Sequence, residues 1–359
     1  MNSVSIEVDL DGSTAQHSPA RPHALQPPCN HRKCFAELVR QRADDHNTVV
    51  LAMTNAGFAP FWHNLRCSME RLDVARHAII IGTDFDACNA ALSSSVPCVV
   101  GGELLWEGNE FSQGATRHGT VEYARLMHIK ARPALEVLRL GYHLLFTDTD
   151  MVWLQDPLRS LRAAHMRAID AGILDVLIQS DYDESNEASC SGQQHERCGR
   201  SAWCNATAMR CEDEVCGGFY FLRSGRPSIS LLEALFERMA WQRAHVDARI
   251  GEQPALNYVL RRAPGVRYEI LPRELYPNGN AYFTRRVWPR AGSRGSRASR
   301  RTTLPVIVHN NWIAGFEAKK QRFAEHGMWL LSDSGAGGES LASTSCIAAA
   351  LPAPGGGSL

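Results

Sequence analysis

The 359-residue sequence has no excess of charge: 38 basic side chains face 38 acidic ones. That balance withholds the basic domain or stripe expected of a nucleic-acid binder. No run approaches the roughly 18 to 20 apolar residues of a membrane helix. Met1 to Gln26 also lacks the basic-then-apolar order of a signal peptide. Taken literally, the chain is expected to be soluble and without its own membrane anchor. No internal repeat is evident. Cys-x-x-Cys pairs are missing too, although five of the 11 cysteines (Cys190, Cys198, Cys204, Cys211 and Cys216) crowd one segment. That spacing favours disulfides in an oxidising compartment over a zinc site. Asn205-Ala206-Thr207 in the same segment is an acceptor for glycosylation. The one basic run, Arg290 to Arg301, is interleaved with Gly and Ser and reads as a surface loop.

What is present is 44% hydrophobic residues arranged as short apolar runs alternating with helical patterns. Val49–Met53, Ala78–Ile81 and Cys98–Val100 read as strands, and Phe61–Leu72 and Ala87–Leu92 as helices between them. Apolar strands too short to expose a face, separated by helices, are the grammar of a parallel sheet covered on both sides. Val121–Leu140 is helical with an interruption or restart at Pro133, and Gly141 stops it. Strands are expected again at Ile173–Gln179 and after Gly217-Gly218, which admit a close or left-handed backbone approach before the strand begins. Ile229–Ala244 and Glu252–Arg262 are helical, and Val306–His309 leads through a turn into a charged helix ending at His326. Residues 1–46 read as a flexible N-terminal segment and 47–331 as one catalytic domain with a cysteine-rich insert at 185–216. The Gly/Ser/Ala-rich stretch 332–359 reads as a disordered tail.

Between these elements lies Leu-Leu-Phe-Thr-Asp-Thr-Asp-Met-Val-Trp (144–153), an apolar strand ending in Asp148 and Asp150. Strand alternation sends both carboxylates to one side, at the carboxyl end where open α/β sheets bind ligands. Such a pair can hold Mg²⁺ or Mn²⁺, whose remaining ligands come from substrate phosphates. The competing reading is a plain turn, since short acidic side chains bond local backbone.

Four ordered segments carry a resemblance: Leu-Gly-Tyr-His-Leu-Leu-Phe-Thr-Asp-Thr-Asp-Met-Val-Trp-Leu-Gln-Asp-Pro (140–157), Cys-Gly-Gly-Phe-Tyr-Phe-Leu-Arg-Ser (216–224), Glu-Gln-Pro-Ala-Leu-Asn (252–257) and Val-His-Asn-Asn-Trp-Ile-Ala-Gly-Phe (308–316). Over about residues 48 to 330 the chain resembles the nucleotide-diphospho-sugar transferase family of plants and green algae. That group includes arabinosyltransferases of hydroxyproline-rich proteins, xyloside-forming enzymes of pectin synthesis and related galactosyltransferases. The resemblance implies an α/β fold of GT-A type, a mostly parallel central sheet flanked by helices, and a retaining transfer from a UDP-sugar with Mn²⁺ or Mg²⁺. It makes Asp150 the chief metal ligand, has Asp148 share the metal or contact the ribose, and makes His309 the third ligand. Gly315 and Lys319 or Lys320 would approach the diphosphate, and Thr54 and Asn55 would frame the base. Lys130 is a weaker nucleotide contact, with a solvated helix lysine as the competing reading. Gln253 would lie near the anomeric carbon, Asp181 would hold sugar hydroxyls, and Glu252 belongs with them; Asp183 and Glu184 are further candidates or simply a polar loop.

Relatives tend to carry Asn where Cys216 stands and Asp where Glu252 stands, which bears on the sugar and acceptor more than on the metal. Trp153 and Trp312 could stack on a ligand or serve packing and the turn, and Asn310 and Asn311 could orient His309 or shape the loop. The resemblance favours arabinose as donor and a cell-wall glycoprotein, possibly hydroxyproline-rich, or polysaccharide as acceptor, in the Golgi lumen or secretory pathway. A metal-assisted phosphohydrolase and a noncatalytic nucleotide-sugar or glycan binder are the alternative functions.

Overall fold

A computed structural model describes residues 28–100, 116, 119–182, 214–285, 304–332 and 345–347. Among the described residues seven strands form one sheet, in the order β3-β2-β1-β4-β7-β6-β8. They are β1 (Thr48–Thr54), β2 (Ala78–Gly82), β3 (Cys98–Val100), β4 (His143–Asp148), β6 (Val176–Ser180), β7 (Val215–Leu222) and β8 (Tyr268–Leu271). β3, β2, β1 and β4 run parallel, as do β6 and β8, while β7 is inserted antiparallel to both β4 and β6. Two short strands, β5 (Met151–Trp153) and β9 (Ile307–His309), pair antiparallel beside it.

Successive residues of β1 and β2 feed opposite faces. Val49, Leu51, Ile79 and Ile81 enter one buried cluster, and Val50, Ala52 and Ile80 the other. The first face is covered by α1 (Arg32–Arg42), α4 (Val121–Arg139), α6 (Arg226–His245) and α7 (Glu252–Leu260). The second is covered by α2 (Ala59–Arg71), α3 (Phe85–Ser93) and α5 (Pro157–Asp170). Burial on both faces is why these strands read as continuous apolar runs. The last helix, α8 (Phe316–Glu325), buries Phe323 in a smaller cluster with Phe61 and Val308.

Several expectations need correction. Residues 28–46 are not outside the core: Phe35, Leu38 and Val39 of α1 pack into it, and Cys29 exchanges backbone hydrogen bonds with Cys98 and Val100. α4 runs through Pro133 without a break. The buried row Leu126, Ile129, Ala134, Leu135 and Leu138 outweighs the one lost helical hydrogen bond. Ile173 is 61% exposed and precedes β6, which starts at Val176. Gly217 and Gly218 lie inside β7, and neither has a left-handed backbone.

Three disulfides form among the described residues. They join Cys29 to Cys34, Cys67 to Cys346 and Cys88 to Cys98, whereas Cys216 is a buried free thiol. The Cys67–Cys346 bond ties residues 345–347, inside the stretch read as a tail, to α2. Cys190, Cys198, Cys204 and Cys211, the Asn205 acceptor, Asp183, Glu184 and the basic run from Arg290 lie outside the described residues. Among the described residues no helix is long and apolar enough to cross a membrane.

Candidate active site at the carboxyl edge of the sheet

β4 ends at Asp148, and the chain then bends, so that Asp150 is presented from a turn rather than by strand alternation. β5 follows at once and pairs Met151 with His309 at the end of β9. The Asn310 N–H donates to the Asp150 carbonyl at 2.8 Å, closing this junction. One ligand atom from each of Asp148, Asp150 and His309 lies within 4.8 Å of the others. His309 Nε2 is 3.4 Å from Asp150 Oδ1 and 3.9 Å from Asp148 Oδ2. Two carboxylate oxygens and an imidazole nitrogen suit a divalent ion such as Mn²⁺ or Mg²⁺, the nitrogen favouring Mn²⁺.

Each carboxylate of the pair is met by one lysine. Lys319 of α8 is ion-paired with Asp150 Oδ2. Burial opposes ionisation of Asp150, but Lys319 and His309 outweigh it and hold its pKa well below the usual carboxylate range. On the other side, Lys130 Nζ lies 3.1 Å from Asp148 Oδ1 and 3.3 Å from Glu252 Oε2, donates to the Gly217 carbonyl, and sits 4.4 Å from the centre of the Phe146 ring. Lys130 is therefore not a solvated helix lysine; it is fully buried on the inner face of α4. Burial works against its charge, yet Asp148 and Glu252 raise its pKa well above the ordinary lysine value. Burial likewise drives Glu252 up to about 7, Lys130 pulling the other way.

β7 runs directly beneath this cluster. A Cβ built on Gly218 would lie 2.4 Å from His309 Cε1 and 2.7 Å from Asp148 Oδ2, so the expected close approach occurs at Gly218, within the strand, and not at Gly217.

Beyond His309 lies a second polar group. Asp181, just after β6, accepts from Gln253 Nε2 at 2.8 Å, Asn311 Nδ2 at 2.9 Å and Trp312 Nε1 at 3.0 Å. Burial raises its pKa, and these donors pull it down. Gln253 Oε1 in turn accepts from the Gly217 N–H. Trp312 remains 43% exposed with a left-handed φ of 59°, whereas Trp153 is wholly buried packing. Cys216 Sγ is 3.6 Å from His309 Nδ1, and burial pushes its thiol pKa well up. Neither Asn310 nor Asn311 is hydrogen-bonded to the His309 ring. Asn310 braces α8 through the Lys319 carbonyl and Arg322, and Asn311 serves Asp181.

Of the residues expected to frame a base, Thr54 stands one residue past Met53, the register partner of Asp148. The Thr54 hydroxyl donates to the Asn55 carbonyl. Asn55 caps the following turn through Phe58 N and donates to Thr116 Oγ1 at 3.3 Å. Gly315, with φ +93°, opens α8 where a side chain would be strained, although a Cβ would meet no atom within 4 Å. Of the two lysines, only Lys319 reaches the carboxylates; Lys320 Nζ lies over the Trp329 ring at 5.5 Å.

Two residues escaped the sequence reading. Gln179 is fully buried in β6 with its Oε1 2.9 Å from His309 Nδ1, and its only signal was a polar residue ending an apolar run. Glu214, whose carbonyl accepts from Asp181 N, has its pKa raised to about 7 by burial and by Asp181.

The geometry can be set beside known proteins. A UDP-D-xylose:L-fucose α-1,3-D-xylosyltransferase of Arabidopsis thaliana is 27% identical over 293 residues, covering 80% of this chain and 71% of its own. A UDP-galactose:fucoside α-3-galactosyltransferase of Dictyostelium discoideum is 26% identical over 326 residues, with coverage of 80% and 44%. A β-arabinofuranosyltransferase of Arabidopsis thaliana is 24% identical over 296 residues, with coverage of 80% and 48%. The mostly parallel sheet, with Asp-x-Asp at the end of a central strand, is the expected GT-A type architecture. The nucleotide-diphospho-sugar transferase sequence model matches residues 73–323, and the chain belongs to that family.

Proposed function

We propose that this protein is a retaining glycosyltransferase that moves a sugar from a UDP-sugar to a hydroxyl of a glycan acceptor, with a divalent ion at Asp148, Asp150 and His309. The observation that carries this reading is the convergence of those three side chains within 4.8 Å at the carboxyl edge of the sheet. An ion held there supplies Lewis-acid neutralisation of the departing diphosphate. Lys319, already on Asp150, adds positive charge on the same side. Thr54 and Asn55 border the nucleotide, and Gly315 gives the diphosphate an unobstructed approach to α8.

The sugar lies between Glu252, Gln253 and Asp181 in this reading. All three hydrogen bonds to the Asp181 carboxylate come from N–H donors, which occupy its oxygens and fix it as an acceptor rather than leave it free to act as a nucleophile. That supports a front-face route in which the departing phosphate accepts the acceptor proton and the configuration is retained. The exposed face of Trp312 beside Asp181 suits the apolar side of an acceptor sugar.

The names of the relatives refine the substrates. The xylosyl and galactosyl relatives differ in donor but share a fucose or fucoside acceptor and an α-1,3 link, while the arabinofuranosyl relative is less identical to this chain. We therefore place UDP-xylose ahead of UDP-arabinose as donor, and a fucose residue of a cell-wall glycan ahead of a hydroxyproline-rich peptide as acceptor. Three disulfides among the described residues support an oxidising compartment, here the Golgi lumen. The test is UDP release from UDP-xylose, UDP-arabinofuranose and UDP-galactose, with Mn²⁺ or EDTA, with and without a methyl fucoside or a hydroxyproline-rich peptide. Mn²⁺-dependent release increased by the fucoside is the expected result; release indifferent to every acceptor would point to hydrolysis instead.

A further inference from the structure

The Gln179 amide is locked. Its side chain is fully buried in β6, and Nε2 donates to the Tyr276 carbonyl at 3.1 Å and the Pro277 carbonyl at 3.0 Å. Flipping the amide would turn its oxygen onto two carbonyl oxygens and take the side-chain donor from both, leaving the Pro277 carbonyl only the His309 N–H at 3.3 Å. The oxygen must therefore face His309, where Oε1 lies 2.9 Å from Nδ1. An amide oxygen only accepts, so the hydrogen of that contact sits on Nδ1.

From this we infer that Gln179 is a positioning residue that fixes His309 as its Nδ1–H tautomer and so directs the Nε2 lone pair at Asp148 and Asp150. The inference rests on the reading of these three side chains as a metal site. A ring carrying its hydrogen on Nε2 would present that hydrogen to the position an ion must occupy. The neighbouring thiol makes the restraint necessary. Cys216 Sγ lies 3.6 Å from the same Nδ1, and its S–H could donate to a bare nitrogen and stabilise the wrong tautomer. The Gly218 and Asn311 N–H groups both point at that sulfur and occupy its lone pairs, which leaves its S–H as the group that can face Nδ1. Gln179 and Cys216 thus meet the same nitrogen and favour opposite tautomers, and the shorter contact to the amide oxygen keeps the hydrogen on Nδ1.

The tautomer is read directly by long-range ¹H–¹⁵N correlation on protein labelled with ¹⁵N-histidine, the His309 signals being assigned by their loss in His309→Asn. In the protein without added metal, above the pH at which the ring is doubly protonated, wild-type His309 is expected to carry its hydrogen on Nδ1. Gln179→Met removes the acceptor and leaves Cys216 beside Nδ1. The Nε2–H form should then grow, and the Kd for Mn²⁺, measured by EPR of the free ion, should rise about 10- to 100-fold. Gln179→Glu sets its second oxygen against the Tyr276 and Pro277 carbonyls and so should lower stability, but it keeps an oxygen acceptor on Nδ1 and should retain the tautomer. A merely structural role would lower thermal stability in both variants and leave the tautomer unmoved. An Nε2–H signal in the wild type would overturn the proposal, and this measurement decides it even if Gln179→Met fails to fold. An unchanged tautomer and Mn²⁺ affinity in folded Gln179→Met would overturn it as well. Should the tautomer shift as expected while Mn²⁺ binds neither protein, the metal-site reading fails and the tautomer assignment stands.

Discussion

Gly218 and His309 are packed so closely that a Cβ on the glycine would lie 2.4 Å from the imidazole Cε1. The histidine is buried and held by β9, and β7 is a central strand, so neither can retreat cheaply. Gly218→Ala should cost about 1 to 3 kcal/mol of stability, the usual cost of overpacking. It should also displace His309 from the aspartates. Thermal unfolding with and without Mn²⁺ checks this: the ion should raise the wild-type Tm and leave the variant nearly unmoved.

Lys130 is enclosed by Asp148 and Glu252 on the inner face of α4. Replacing it with Met keeps much of the volume but strands two carboxylates, and removing one partner of a buried ionic group costs about 3 to 5 kcal/mol. Adding Glu252→Gln should recover part of that loss, because the buried carboxyl that must otherwise take up a proton or stay unpaired is then gone. Chemical denaturation of the single and double variants gives the comparison; additive losses would mean that the two side chains do not interact.

Lys319 and Lys320 are adjacent in sequence and opposite in surroundings, one on Asp150 and the other over Trp329. Lys319→Ala should weaken UDP binding in the presence of Mn²⁺ by about 10- to 100-fold, the scale of a lost charge-assisted contact or two. Lys320→Ala should leave it within about twofold. Isothermal calorimetry on both variants distinguishes them.

Much of the framework was legible in the sequence because its signals are local. β1 to β3 and the helices between them follow from short apolar runs and helical spacing, and Asp148, Asp150 and His309 stand in short motifs. What was misread depends on partners distant in the chain. Lys130 reads as an ordinary helix lysine until two remote carboxylates close on it. The glycines of β7 read as leading into a strand until His309 is seen to need the missing side chain of Gly218, and the antiparallel insertion of β7 follows from pairings no local pattern encodes. α1 is a different case, since Phe35, Leu38 and Val39 form a visible helical stripe that the prolines before it obscured.

Glu214 provides a pH signature. Burial, and then the charge of Asp181, raises its pKa to about 7 from an ordinary 4.5, with Arg261 opposing. Between those values the folded protein holds a proton that the unfolded chain has released. The contribution to stability is thus complete below about 4.5 and is lost as pH rises through about 7, at up to about 1.4 kcal/mol per pH unit. His63 and His128 act in the opposite sense: burial lowers both from 6.5 to about 4, so stability falls as pH drops through that window. The difference between wild type and Glu214→Gln isolates the carboxyl. Wild-type stability measured by denaturation from pH 5 to 7.5 should decline relative to the variant, and parallel curves would mean that Glu214 is ionised throughout.

The central claim is that Asp148, Asp150 and His309 hold a divalent ion through which a nucleoside diphosphate is bound. Calorimetric titration of UDP into the wild-type protein, with Mn²⁺ and then with EDTA, and into Asp150→Asn with Mn²⁺, tests it most directly. Binding to the wild type with Mn²⁺, and none in the other two samples, is the predicted result; equal UDP affinity in EDTA, or in Asp150→Asn, would contradict it.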